Sequence, residues 1–239
     1  MSPPIYFNPA MHGASAFAPS VALPIPNAVD DARTSARIES VVRVLAYVWF
    51  VTVMSLTGFL PDLKPVLRFR GWLVRGCFRN CGRNFQIASG VRINYTRRMT
   101  VGDNVYVAPG CWINAYGGLR LDDEVMLGPY TVVATSNHTK HDGSYRFGAP
   151  ASAPVVIGRG AWTGSHTTIT SGTRIGHGTA VAAGAVVTKS VPHDAVVAGV
   201  PARVIQGNEA GRQPVARPAV VAHTAEVPFT APRLCKGVA

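Results

Sequence analysis

The chain has 239 residues, with 23 Lys and Arg against 12 Asp and Glu and a formal charge of +11. Charged residues make up 15% of it, well under the roughly 25% of an ordinary soluble domain, and 47% is hydrophobic, which excludes a wholly disordered chain. The 24 Gly and 18 Pro follow no period of three, which excludes collagen and disfavours a helical bundle; the cysteines Cys77, Cys81, Cys111 and Cys235 are too few and scattered for a disulfide scaffold or a zinc site.

Residues 1–36 carry Pro3, Pro4, Pro9, Pro19, Pro24 and Pro26 among Ala, Ser and Asn with no apolar period, and read as a flexible tail. Asp30, Asp31 and Glu39 precede the first long apolar run, so no signal peptide is expected and the protein is placed in the cytoplasm. Residues 37–84 read as a hydrophobic and basic helical segment. Within it, Val41 to Leu60 contains a single charge, Arg43, and has the length needed to cross about 30 Å of hydrocarbon. Pro61 and Pro65 end that run. Lys64, Arg68, Arg70, Arg75, Arg79 and Arg83 then interleave with Leu67, Phe69, Trp72, Leu73 and Phe78, a composition suited to an anionic membrane surface, which the positive-inside rule makes the cytoplasmic face of an inner membrane. The competing expectation is a buried helix covering the end of the next domain, with solvated arginines.

Residues 85–206 read as the next domain, in which a period of six appears from residue 101. Aliphatic residues recur at Val101, Val107, Ile113 and Leu119, slip by two, and continue at Leu121, Leu127 and Val133; they resume at Ile157, Ile169, Ile175, Val181 and Val187, with Thr163 the exception. Small or β-branched residues precede them by two positions, as at Cys111, Thr131, Ala161, Thr167 and Ala185. Six is three strand steps and no sum of helical turns, so each hexad is a short strand and a turn, and the stack is a parallel β-helix, an all-β architecture. Residues 207–239 read as a second flexible tail.

The segments Thr135 to His138 (TSNH), Val155 to His166 (VVIGRGAWTGSH), Val186 to Pro192 (VVTKSVP) and Ala198 to Ile205 (AGVPARVI) resemble the hexapeptide-repeat acyltransferases, in particular the sugar O-acetyltransferases similar to galactoside, maltose and colanic-acid-type enzymes. The resemblance implies a left-handed parallel β-helix, a homotrimer with active sites between neighbours, and acetyl-CoA as acyl donor without a metal. It makes His138 the catalytic base, with His141 the weaker competitor. A neutral imidazole suits that task because its ordinary pKa is about 6.5. It assigns Trp162, Gly164, Ser165, Ala183, Thr188, Lys189 and Arg203 to coenzyme A, and leaves Asn114, Tyr116 and Arg146 for the acceptor. Galactoside-type enzymes carry an acceptor-contacting Asn where this chain has Ala108, so a different sugar is expected.

The expected function is acetyl transfer to a sugar hydroxyl, free or on a lipid-linked glycan of exopolysaccharide or lipopolysaccharide synthesis. Two alternatives stand beside it. One is a carbonic-anhydrase-like lyase using His138, His141 and His166 on zinc. The other is a non-enzymatic basic protein that binds membranes; nucleic acid is not expected as a partner, because the charge clusters between Lys64 and Arg98 beside the apolar run rather than with aromatic stacking platforms.

Overall fold

The computed structural model describes residues 36–207, so both predicted tails lie outside the described residues apart from their inner ends. Two helices come first, α1 (Ala36–Thr57) and α2 (Lys64–Val74). Pro61 stands between them, and Pro65 sits in the first turn of α2, where its missing N–H costs nothing.

The rest of the chain winds into about six coils of a three-faced prism. The first face stacks Asn80–Cys81, Met99–Val101, Leu119–Leu121, Val155–Ile157 and Arg174–Ile175 in parallel. The second stacks Gln86–Ile87, Tyr106–Val107, Met126–Leu127, Trp162–Thr163, Ala180–Val181 and Val196–Ala198, closed by the antiparallel Arg203–Gln206. The third stacks Arg92–Asn94, Trp112–Asn114, Val132–Ala134, Thr168–Ile169 and Val186–Val187.

The hexad aliphatics are the core. Val107 pairs with Leu127, Leu127 with Thr163 and Thr163 with Val181, and each points inward and is buried. Thr163 enters this column because its hydroxyl is satisfied, lying 2.9 Å from the Thr131 hydroxyl and accepting the Gly128 N–H at 2.9 Å. The two-residue slip also has a cause: strands on the first face turn two side chains inward, Leu119 with Leu121 and Val155 with Ile157, so the early coils repeat every twenty residues rather than eighteen.

The period begins earlier than position 101. Cys81, Ile87 and Ile93 form a first coil in register with Val101, Val107 and Ile113. Helices α1 and α2 cover its open end. Phe50, Val53, Met54 and Thr57 make one buried stripe of α1, and Phe78 packs edge-on between Phe50 and Phe85 at 6.3 and 5.5 Å. Gly71 lets α2 approach that closely, since a Cβ there would stand 1.9 Å from the Phe85 carbonyl oxygen.

Arg70 departs from expectation. It is no surface cation but fully buried, donating to the Thr57 hydroxyl at 3.2 Å, to the Thr57 and Leu60 carbonyls at 2.8 Å each, and to the Asp62 carboxylate. It fastens the turn between the helices. Lys64, Arg68, Arg75 and Arg79 are exposed, as are Phe69 and Trp72, which stack at 6.4 Å.

Candidate active site

After Val132–Ala134 the chain leaves the prism instead of turning onto the first face. Ser136–His138 runs out and pairs antiparallel with Pro150–Ser152, placing His138 opposite Pro150. This excursion is a β-hairpin with its tip at residues 139–149. Buried Thr135 anchors its base: the hydroxyl donates to the Asn114 carbonyl at 2.8 Å and accepts the Gly117 N–H at 2.7 Å, while Ser171 of the next coil donates to the Thr135 carbonyl at 3.0 Å. His138 thus stands on a hydrogen-bonded ladder three residues from a fixed side chain, exposed to solvent. His141 sits in the tip, where its backbone bonds Ser144 at 2.8 and 2.9 Å and its Nε2 lies 3.3 Å from Asp142. Tyr145, Arg146 and Phe147 project from the same tip.

The coil below supplies Asn114 and Tyr116 to this edge. The Asn114 amide donates to the Ser136 hydroxyl at 3.3 Å and its oxygen accepts the Tyr116 N–H at 3.1 Å. The Tyr116 ring meets Tyr95 edge-on at 5.2 Å and lies 5.0 Å from the Arg98 guanidinium, whose Nη1 donates to the Tyr116 carbonyl. Ala108 is buried. Thr188 and Lys189 are exposed on the same third-to-first edge, just beyond Val186–Val187.

The remaining predicted cofactor residues occupy the second face and the second-to-third edge. Trp162 points outward and is exposed, Ser165 is half-buried with its carbonyl accepting the Gly184 N–H at 2.8 Å, and Ala183 is exposed in the neighbouring turn. Arg203 is exposed there too, donating to the Ala202 carbonyl at 2.9 Å. Gly164 has a structural reason to be glycine: a Cβ would lie 2.5 Å from the Ala183 nitrogen of the next coil, so coil stacking requires it. Thr188 and Lys189 are separated from the other five by the third face. One chain alone does not gather all seven.

His166 stacks on Tyr130 at 5.0 Å on the second-to-third edge, away from the hairpin. Within one chain the three histidines of the lyase alternative are therefore not brought together, and among the described residues no three His, Cys, Asp or Glu side chains are placed to share a metal ion. Burial pushes the thiols of Cys77, Cys81 and Cys111 up to about 11, so they stay protonated at neutral pH and are poor nucleophiles. Sequence reading missed Ser171 and the Tyr95–Arg98 corner. The signal for that corner was the irregular step between Ile93 and Val101, filled by two adjacent arginines.

The prism of hexads is shared with known proteins. No family model matches the chain. An Escherichia coli protein named for O-acetyl transfer in lipopolysaccharide biosynthesis is 30% identical over 184 residues, covering 64% of this chain and 89% of that protein. The chain belongs to the hexapeptide-repeat acetyltransferases. Escherichia coli galactoside O-acetyltransferase is 31% identical over 134 residues, 56% of this chain and 66% of the relative's length. Among solved structures, a galactoside acetyltransferase in complex with coenzyme A superposes with a TM-score of 0.61 at 26% identity, covering 75% of this chain and 90% of that one. The fold of these acetyltransferases is the left-handed parallel β-helix, and in this chain two helices precede it.

Proposed function

We propose that the protein transfers an acetyl group from acetyl-CoA to a sugar hydroxyl in the synthesis of a surface polysaccharide or lipopolysaccharide. The observation that carries this reading is the hairpin, which holds His138 at a hydrogen-bonded base beside Asn114 in a chain of this family. The neutral imidazole accepts the proton of the sugar hydroxyl as its oxygen bonds to the thioester carbonyl carbon. The tetrahedral intermediate then expels the coenzyme A sulfur, which takes the proton back from the imidazolium, and the products are the acetyl ester and free coenzyme A. No enzyme nucleophile is needed. Backbone N–H groups near Ser165 stabilise the developing oxyanion, Trp162 and Ala183 flank the donor, and Thr188, Lys189 and Arg203 serve its pantetheine and phosphates.

Because Trp162, Ser165, Ala183 and Arg203 lie on a different edge of one prism from His138, Thr188 and Lys189, the complete site is built between subunits of a homotrimer, with the hairpin of one chain facing the second face of the next. The exposed side chains Lys64, Arg68, Phe69 and Trp72, with the outer side of α1, hold the trimer on the cytoplasmic face of the membrane. The stretch Ser40–Thr57 is long and apolar enough to span, but its Phe50, Val53 and Met54 are committed to the prism, which favours lying along the surface over crossing it.

The test is transfer from labelled acetyl-CoA to a panel of glycans, with mass spectrometry of the products. His138→Ala is expected to lower kcat by a factor of about 100 to 10,000, and His141→Ala to cost far less. Near-normal turnover of the first variant moves the base elsewhere. Mixing unfolded and refolded His138→Ala and Arg203→Ala chains, which are altered on different edges of the prism, restores activity only if sites are shared.

A further inference from the structure

Between α1 and the corner that follows Asn94 lies a cavity of about 570 Å³, lined among others by Arg43, Tyr47, Tyr95, Arg97, Arg98 and Asn114. Three arginines line it and, among the described residues, no carboxylate does. The corner is built to present them: Tyr95 adopts a left-handed backbone, φ 63°, in which a bulky residue is strained, and the two arginines follow within one short turn. Arg97 Nη1 donates to the Phe78 carbonyl at 2.9 Å, and Arg98 is held by the Tyr116 carbonyl and by the rings of Tyr116 and Tyr95, at 5.0 and 5.8 Å. Each guanidinium has five donors, so a single carbonyl contact fixes its direction and leaves most of the fork for a planar or tetrahedral oxyanion.

Two further features say which anion. The α1 wall carries apolar side chains, Val44 in the cavity lining and 61% exposed, with Leu45 and Val48 on the same helix 61% and 53% exposed. At the other end Asn114 lines the cavity and also bonds Ser136, two residues before His138. A ligand that fills this path has an apolar chain, then a phosphate group, then a sugar, in that order from α1 to the hairpin.

We propose that this cavity binds the phosphate or diphosphate of a lipid-carried glycan, with the lipid against α1 and the sugar delivered to His138. It rests on the acetyl-transfer reading only for the sugar end; the anion site and the apolar wall are independent of it.

Binding is therefore the measurement. The full chain is floated with phosphatidylcholine vesicles, with the same vesicles holding a polyprenyl diphosphate, and with vesicles of equal charge made with phosphatidylglycerol. The expected result is tighter binding to the polyprenyl diphosphate than to phosphatidylglycerol, competed by inorganic pyrophosphate. Arg97→Gln and Arg98→Gln each weaken the surplus about tenfold, the worth of one lost charge-assisted contact, whereas Arg159→Gln, an exposed arginine paired with Glu124, leaves it unchanged. Arg98→Lys keeps the charge and loses the fork, and an unchanged melting temperature with weakened binding separates recognition from folding. Equal binding to both anionic vesicles, or insensitivity to the arginine variants and to pyrophosphate, overturns the proposal. Uridine diphosphate competing as well as the polyprenyl diphosphate overturns the lipid source in favour of a soluble nucleotide sugar. An enzyme that acetylates free glycans but fails this test keeps its assigned chemistry and loses only the cavity.

Discussion

At His177 and His193 two imidazoles stack at 4.0 Å, and the His177 N–H donates to His193 Nδ1 at 2.9 Å, which makes that nitrogen an acceptor and the ring neutral. Burial lowers the His193 pKa below its ordinary value, and the neighbouring His177 and Arg174 add to this against the opposing charge of Asp194. A histidine depressed on folding leaves stability intact above the unfolded pKa of about 6.5 and withdraws it as pH falls below that value. The melting temperature should therefore drop between neutral pH and pH 5, and His193→Asn, which keeps an acceptor for the His177 N–H, should flatten that slope. An unchanged slope would place the acid sensitivity in other groups. Single residues were unevenly legible in the sequence. The place of His138 at the end of a hexad before a break was legible, whereas the buried Arg70 looked like its exposed neighbours Arg68 and Arg75, since burial depends on which side of α2 faces the prism. Gly164 was legible as a glycine but not in its reason, because the coil stacked above it is nineteen residues away in sequence, at Ala183.

Among the elements, the hexad strands were legible because a fixed inward position repeats every six residues, and each of those residues is buried. The first coil was not, because Met99 and Val101 both turn inward and break the count, hiding Cys81, Ile87 and Ile93 behind a slip of two. The helical cap could be read as a segment, with a lid over the prism end as one of two readings that its composition left open. Its turn rests on Asp62, which accepts from Arg70 and from the Ser89 backbone at 3.0 Å and hydroxyl at 2.8 Å. Burial by itself would raise the Asp62 carboxyl, yet these hydrogen bonds hold it below the usual range. Its stabilisation is present above the ordinary carboxylate pKa of about 3.9 and is lost as pH falls through the lower folded value. Asp62→Asn should cost about 1 to 3 kcal/mol at neutral pH, because it weakens the partners of a buried guanidinium, and chemical denaturation measures this directly. Removing both helices would uncover Phe78 and Phe85, so membrane attachment is better tested on the exposed side of α2. Phe69→Ser with Trp72→Ser should reduce vesicle binding without shifting the melting temperature, and undiminished binding would count against a role for that surface.

For the whole molecule, the distribution of charge decides which sides can be covered. Outward positions on the second face run Gln86, Tyr106, Met126, Trp162, Ala180 and Val196 in register, with no charged residue among them. Met126 is 45% exposed and Trp162 46%, with Tyr130 exposed on the adjoining edge. The first face and its edges instead carry Arg120, Asp122, Arg83 with Asp103, and Arg159 with Glu124. An uncharged column of this kind is what a subunit contact needs, and a contact between unlike faces closes into a ring when the rotation allows. Met126→Arg places a charge in the middle of that column, one coil below Trp162 and outside the assigned site residues. Light scattering should give a trimer for the wild type and a smaller species for this variant, whose core is untouched because the side chain points outward. If the site is shared, transfer activity falls with the trimer and recovers at high protein concentration, where association resumes. A monomeric wild type, or a monomeric variant with full activity, would put both halves of the site within one chain and require Lys189 and Arg203 to reach across the third face.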